Sequence, residues 1–118
     1  LVEGLESFDV KEVGASIRYS GLYGDKGSNV NFVQPAGTDK FSVRTYERGV
    51  EDETLSCGTG VTAAALVCYH NDNGFNRVEV QTLGGKLSVE YDRLMESGFE
   101  NIWLSGPAEK VFEGDISL

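Results

Sequence analysis

Positive charge is scarce in this chain: ten Lys and Arg stand against nineteen Asp and Glu, for a net charge of −9. No cluster of Lys or Arg longer than a pair occurs, so a nucleic acid is not an expected partner. No run approaches the roughly 20 apolar residues that cross a bilayer, so no membrane partner is expected either. The opening residues, with Glu3 and Glu6 among the first six, are too acidic for a secretory leader, which points to a cytoplasmic protein. Cysteine is limited to Cys57 and Cys68. Eleven residues apart on one predicted helix, they lie about 16 Å from each other along its axis, which excludes a disulfide. The same spacing prevents them from attacking one carbon from opposite sides. Cys68, inside an apolar stretch, reads as packing. The chain also lacks an initiating methionine, which suggests a piece of something longer.

What is present fits one soluble, turn-rich domain over residues 1–118, with 15 glycines and 40% hydrophobic residues. Residues 7–13 have the pattern of a short helix with Ser7 as N-cap and Gly14 just past its end, and residues 15–19 could add a turn. Residues 28–33 alternate as a strand, with Val30 and Phe32 on one side and Asn29, Asn31 and Val33 on the other. Asparagine is depleted in strands, so this face is either an exposed edge or a surface turned to a ligand. Pro35 and Gly37 turn the chain, and residues 40–47 return as the partner strand, Phe41, Val43 and Thr45 alternating against Ser42, Arg44 and Tyr46. Glu51, Asp52 and Glu53 form a charge run assigned to a solvated loop.

Residues 57–70 read as a helix that is apolar nearly all round and so needs cover on every side. With no second long helix in the pattern, strands must supply it. Gly74 is the expected stop, and the lone His70 falls in the last turn, where it suits the helix dipole without being a catalyst. Residues 77–83 and 86–91 alternate as strands around Gly84 and Gly85, a hairpin signal. Residues 92–100 read as a loop. Residues 101–105 and 108–114 form a last strand pair around Gly106 and Pro107, residues 115–118 could extend it, and Trp103 and Phe112 read as core. The fold class is α+β: a strongly curved, mixed or antiparallel sheet wrapped around one long buried helix.

The chemistry gathers between residues 46 and 65. Cys57 precedes Gly58, Thr59 and Gly60 at the start of the long helix, where N–H groups lack intrahelical partners and carry roughly half a positive charge. Such an end favours a thiolate, which is a nucleophile or a base, and can hold a carboxylate or phosphate. Taken alone, the motif is better read as a small buried cysteine beside a tight turn. Glu47 and Arg48, at a strand end just before the loop, favour the chemical reading.

The segment from Arg44 to Gly60, with its Tyr46-Glu47-Arg48-Gly49 and Cys57-Gly58-Thr59-Gly60, resembles the C-terminal half of the diaminopimelate epimerase family. Asn29-Val30-Asn31-Phe32, Leu83-Gly84-Gly85-Lys86-Leu87 and Leu104-Ser105-Gly106-Pro107-Ala108 fall in matching order around it. Ser56 and Val61 stand where the family commonly has alanine. The resemblance implies interconversion of LL- and meso-2,6-diaminopimelate for lysine biosynthesis, with no pyridoxal phosphate, no other cofactor and no metal. It implies two related halves, each a curved sheet around a helix, with one cysteine from each facing the α-carbon. By this likeness Cys57 is the acid or base of the second half. Glu47 and Arg48 hold the substrate's amino and carboxylate groups, and Glu47 also influences thiol ionisation. Gly58 and Thr59 donate N–H groups to the α-carboxylate, and Asn29 reaches the distal end.

The N-terminal half, with the other cysteine, is then a missing partner domain. The isolated piece is expected to be inactive and, with its cleft face open, to form homo-oligomers by self-association or strand swapping. The alternatives are a related cofactor-independent isomerase, proline-racemase-like or phenazine-pathway-like, or a non-catalytic domain that binds a small carboxylate ligand.

Overall fold

The structure, a computed structural model, describes residues 1–68 and 72–118. Its described elements are two α-helices and a six-stranded mixed sheet. A 3-10 turn, Leu5–Ser7, leads into α1 (Val10–Arg18). The strands are β1 (Val30–Gly37), β2 (Lys40–Glu47) and β3 (Asp52–Thr54), followed after α2 (Gly58–Cys68) by β4 (Gly74–Thr82), β5 (Gly85–Arg93) and β6 (Phe99–Ser105). The sheet order is β1-β2-β4-β5-β6, with β3 on β2. Among the described strands only β2 and β4 run parallel, through Lys40–Ser42 beside Glu79–Gln81. The other end of β2 is thereby left for β3, which pairs Thr45 with Thr54 and Glu47 with Asp52.

Alternation in β1 and β2 sends neighbouring residues to opposite faces, and each face has its own core. Val33, Phe41 and Val43 pack with Val61, Ala64 and Ala65 of α2 and with Val78, Val80, Val89 and Tyr91. Phe32 and Tyr46 pack on the other face with Leu5 and Val10, under α1. Each buried side chain of this size contributes about 1.5–3 kcal/mol.

The first helix starts later and runs further than the pattern suggested. Asp9 is the N-cap, its Oδ1 accepting from Glu12 N at 3.0 Å, while the Ser7 hydroxyl donates to Gly4 O inside the 3-10 turn. Gly14 lies within α1 rather than past it, because a Cβ there would overlap the stem of the Tyr46 side chain. The glycine lets the helix lie directly on the sheet. Gly14→Ala is expected to lower stability by about 1–2 kcal/mol by urea denaturation, overpacking outweighing the gain in helix propensity. A rise in stability would show that α1 can shift freely.

The long helix departs from expectation more strongly. It is not enclosed: Gly60, Val61, Ala64 and Ala65 are buried, but Val67 is 79% exposed and Ala63 is also exposed. The sheet covers one face only, and among the described residues nothing covers the other. His70 lies outside the described residues. Gly74, expected to stop the helix, opens β4 instead.

Further corrections concern the edges. Pro35 does not end β1 but pairs with Phe41 within it, followed by an irregularity before Gly37. An edge strand tolerates this, having no neighbour that needs the missing N–H. The predicted loop over residues 92–100 is shortened by β5 reaching Arg93 and β6 beginning at Phe99. Residues 106–118 form no helix or strand, so the predicted final strand pair is absent. Trp103 and Phe112 are 67% and 88% exposed. Trp103 sits opposite Glu90 on the sheet face away from α2, and among the described residues no element lies over Phe112.

The charge run is not a solvated loop either. Glu53 accepts from Arg44 at 2.5 and 2.6 Å in a bidentate pair whose side chains are each 18% exposed. Arg44 also donates to the carbonyls of Leu5 and Phe8, fastening the 3-10 turn to β2, and the Glu53 hydrogen bond raises the Arg44 pKa. Asp52 pairs with Lys11 of α1 at 3.3 Å. No helix among the described residues is long and apolar enough to cross a membrane.

Candidate functional site

The site forms where β2 ends and α2 begins. Glu47 closes β2, and residues 47–51 turn back, with Glu51 N donating to Glu47 O at 2.8 Å and Gly49 at a φ of 95°. After β3 the chain runs past Leu55, whose carbonyl accepts from Gly84 N at 2.9 Å, so the β4–β5 turn steadies the approach to the helix. Cys57 is the residue just before α2, and its carbonyl takes the helix's first bond, from Val61 N at 2.9 Å. The N–H groups of Gly58, Thr59 and Gly60 therefore have no partner four residues back within the helix.

This helix end is fitted onto the sheet by small residues. Gly60 is buried, and a Cβ on it would overlap the amide of Asn31, whose Oδ1 accepts from Thr45 Oγ1 at 2.8 Å. A Cβ on Gly58 would come within 3.0 Å of Leu104 Cδ2, so β6 approaches from the other side. Cys57 is half-buried, and its Sγ lies 3.4 Å from Thr59 Oγ1.

Asn29, just before β1, joins the pieces. Its Nδ2 donates to Cys57 Sγ at 3.9 Å, and its Oδ1 accepts from Arg48 N at 2.8 Å. One side chain thus spans the thiol and the turn after β2. Arg48 itself is exposed, with Nη1 3.4 Å from Lys26 O. Glu47 is half-buried at the end of β2. The structure therefore brings Asn29, Arg48, Cys57 and Thr59 into one chain of contacts, with Glu47 and Gly58 adjacent to it in sequence.

Sequence reasoning missed two supporting residues. Asn31 was legible only as one of two asparagines on a strand face, and its fit against Gly60 needs the fold. Glu51 was hidden in the charge run. Its carboxylate accepts from Tyr19 OH, Gly49 N at 2.8 Å, Arg18 Nε at 3.2 Å and Tyr46 OH at 3.2 Å. The Tyr19 hydroxyl foremost, then the Gly49 amide and Arg18, hold its pKa at about 2. The Tyr19 pKa is raised by the same hydrogen bond, and that of Tyr46 is raised by burial first and Glu51 second.

A recess of about 720 Å³ lies elsewhere, between the 3-10 turn, Gln34, Ser42, Arg44 and Gln81, and shares no residue with this cluster. No group of three or more His, Cys, Asp or Glu among the described residues could hold a metal ion.

Comparison with known proteins identifies the cluster's setting. The family model for diaminopimelate epimerase matches residues 1–111. The chain is 53% identical over 115 residues to the diaminopimelate epimerase of Flavobacterium psychrophilum, covering 97% of the chain and 44% of that relative. It is 43% identical to the enzyme of that name from Aquifex aeolicus, covering 98% of the chain and 41% of the relative. For Chlorobaculum tepidum the identity is 41%, with 99% and 45% covered. The chain thus spans less than half the length of these curated relatives. It belongs to the diaminopimelate epimerase family.

Proposed function

We propose that this chain is the C-terminal domain of a diaminopimelate epimerase, and that Cys57 is one of two thiols that invert the α-carbon of LL- and meso-2,6-diaminopimelate in lysine biosynthesis. The observation that carries the reading is the placement of Cys57 Sγ at the start of α2, in contact with Asn29 and through it with the Arg48 backbone.

In this mechanism the Cys57 thiolate removes the α-proton of one stereoisomer and becomes a thiol, leaving an electron pair on the α-carbon. A thiol from the N-terminal half gives its own proton to the opposite face and becomes a thiolate. Roles exchange for the reverse reaction, so protons and charge balance over each turnover. The carbanion delocalises toward the α-carboxylate, where the N–H groups of Gly58 and Thr59 meet the growing charge; fixed dipoles count for most in a site closed to water. Arg48 suits the carboxylate and Glu47 the ammonium. Asn29, assigned by resemblance to the distal end of the substrate, is placed to orient the thiol as well. The chemistry needs no cofactor from this domain.

Since inversion needs acid and base on opposite faces, and this domain supplies one thiol at the site, the isolated chain is expected to be silent. In deuterium oxide the full-length protein should incorporate deuterium at the α-carbon of diaminopimelate, read by mass spectrometry, and the chain alone should not. Turnover by the chain alone overturns the two-thiol mechanism. Binding without exchange by the full-length protein supports a carboxylate-binding module instead.

A further inference from the structure

Three features outside the proposed chemistry were candidates for a role: the recess beside Arg44, the exposed apolar residues of β6, and the Glu51 cluster. Arg44 and Gln34 in the recess are already engaged, with Glu53 and with Leu5 N, and nothing in the structure shows what covers β6. The Glu51 cluster goes further, because it bears on the turn that carries Glu47 and Arg48.

We propose that Glu51 is a positioning residue that clamps the turn over residues 47–51, and with it Glu47 and Arg48, onto the end of α1. One carboxylate oxygen holds the turn from inside, accepting from Gly49 N at 2.8 Å, the amide that follows Arg48. The same oxygen accepts from Arg18 Nε at 3.2 Å, and the other takes the hydroxyls of Tyr19 and Tyr46. All three outside donors are anchored. Tyr46 is 2% exposed, and the Arg18 guanidinium lies 4.6 Å from the Tyr19 ring centroid. Gly27 adds a close fit, since a Cβ there would overlap Arg18, and Arg48 Nη1 meets the carbonyl of Lys26 next to it.

Backbone geometry makes the same point independently. Glu51 has a φ of 58°, in the left-handed region where glycine is at ease and a side chain is strained. A turn that needed only its shape would be better served by glycine. The strained residue here is instead a carboxylate with four donors, so the side chain offsets the backbone strain.

This inference rests on Glu47 and Arg48 being substrate contacts, and the test separates the two. Glu51→Gly and Glu51→Gln are made in the full-length protein. Glycine relieves the backbone and deletes the carboxylate; glutamine keeps the shape and one acceptor. Trypsin cleavage after Arg48 is followed alongside KM and kcat for diaminopimelate. Glu51→Gly is expected to cleave about tenfold faster and to raise KM about tenfold with a smaller change in kcat, and Glu51→Gln to fall between it and wild type. An unchanged cleavage rate in Glu51→Gly overturns the clamp. Faster cleavage confined to Arg48, with unchanged KM, leaves the clamp standing and overturns the assignment of Glu47 and Arg48. Faster cleavage matched at the protein's other Lys and Arg sites, with kcat lost in proportion to folded protein, marks a merely structural role and overturns the proposal.

Discussion

Cys57→Ser in the full-length protein is expected to lower kcat for epimerisation by about 10² to 10⁴, the range that a placed proton-transfer group supplies. The substitution keeps the shape and the hydrogen-bonding sense of the side chain, so Asn29 Nδ2, 3.9 Å from the sulfur, and Thr59 Oγ1, 3.4 Å away, retain an oxygen to meet. What is lost is the sulfur that takes and returns the proton in the proposed mechanism, an alcohol being a far weaker acid than a thiol. The helix N-terminus cannot make up the difference, because its dipole is worth roughly 0.3–1 kcal/mol at an exposed site and up to about 2 when partly buried. KM should move little, because the proposed substrate contacts are Glu47, Arg48 and the N–H groups of Gly58 and Thr59. The thiol of the other half survives in this variant, so α-proton exchange without inversion should persist from one stereoisomer alone. Equal residual exchange from both stereoisomers, or kcat within a factor of ten of wild type, would remove Cys57 from the proposed mechanism.

The parts of the fold legible in the sequence were those with a short repeat and a nearby partner. β2 could be read from the alternation of Phe41, Val43 and Thr45, and its bounds, Lys40–Glu47, are those of the strand itself. The β4–β5 hairpin followed from Gly84 and Gly85, and Thr82 does pair with Gly85. Misreadings arose where a residue's role depends on what lies over it. Trp103 and Phe112 have the size of core residues, but no element among the described residues covers them, and hydrophobicity says nothing about cover. The apolar helix was read as enclosed for the same reason. Gly14 was taken as punctuation when its function is close approach to Tyr46, a contact 32 residues away in sequence (46 − 14). The charge run was misjudged because Glu53 and Glu51 find partners, Arg44, Arg18 and Tyr19, that only the folding of α1 and β3 onto β2 brings near.

The candidate site divides along the same line. The helix start at Cys57 and the small residues after it could be read locally, whereas the contact from Asn29 to both the thiol and Arg48 N joins positions 28 and 19 residues apart. The two asparagines on one face of the strand thus have different jobs. Asn29 touches the Cys57 sulfur and the Arg48 amide, and Asn31 sets the distance of the helix from the sheet.

That division leads to the second large effect, Gly60→Ala, which changes no group proposed to touch substrate. The added methyl would overlap the Asn31 amide, and Asn31 is not free to swing away without giving up the Thr45 hydroxyl at 2.8 Å. Thr45 is 2% exposed, so a hydroxyl left without its partner there costs about 1–3 kcal/mol. Moving the first turn of α2 outward is the alternative, and it carries Cys57, Gly58 and Thr59 with it. A misplacement of about 1 Å at a reacting group can lower the rate about 10²-fold, so kcat should fall by about that factor. Stability should fall by only about 1–3 kcal/mol, the usual range for an overpacked site, leaving the protein folded at room temperature. The double variant Gly60→Ala with Asn31→Ala separates the two routes. Removing the Asn31 amide makes room for the methyl, so most of the activity lost in Gly60→Ala should return even though Thr45 loses a partner. If the double variant is no more active than Gly60→Ala alone, the spacing between α2 and β1 is not what sets the thiol in place.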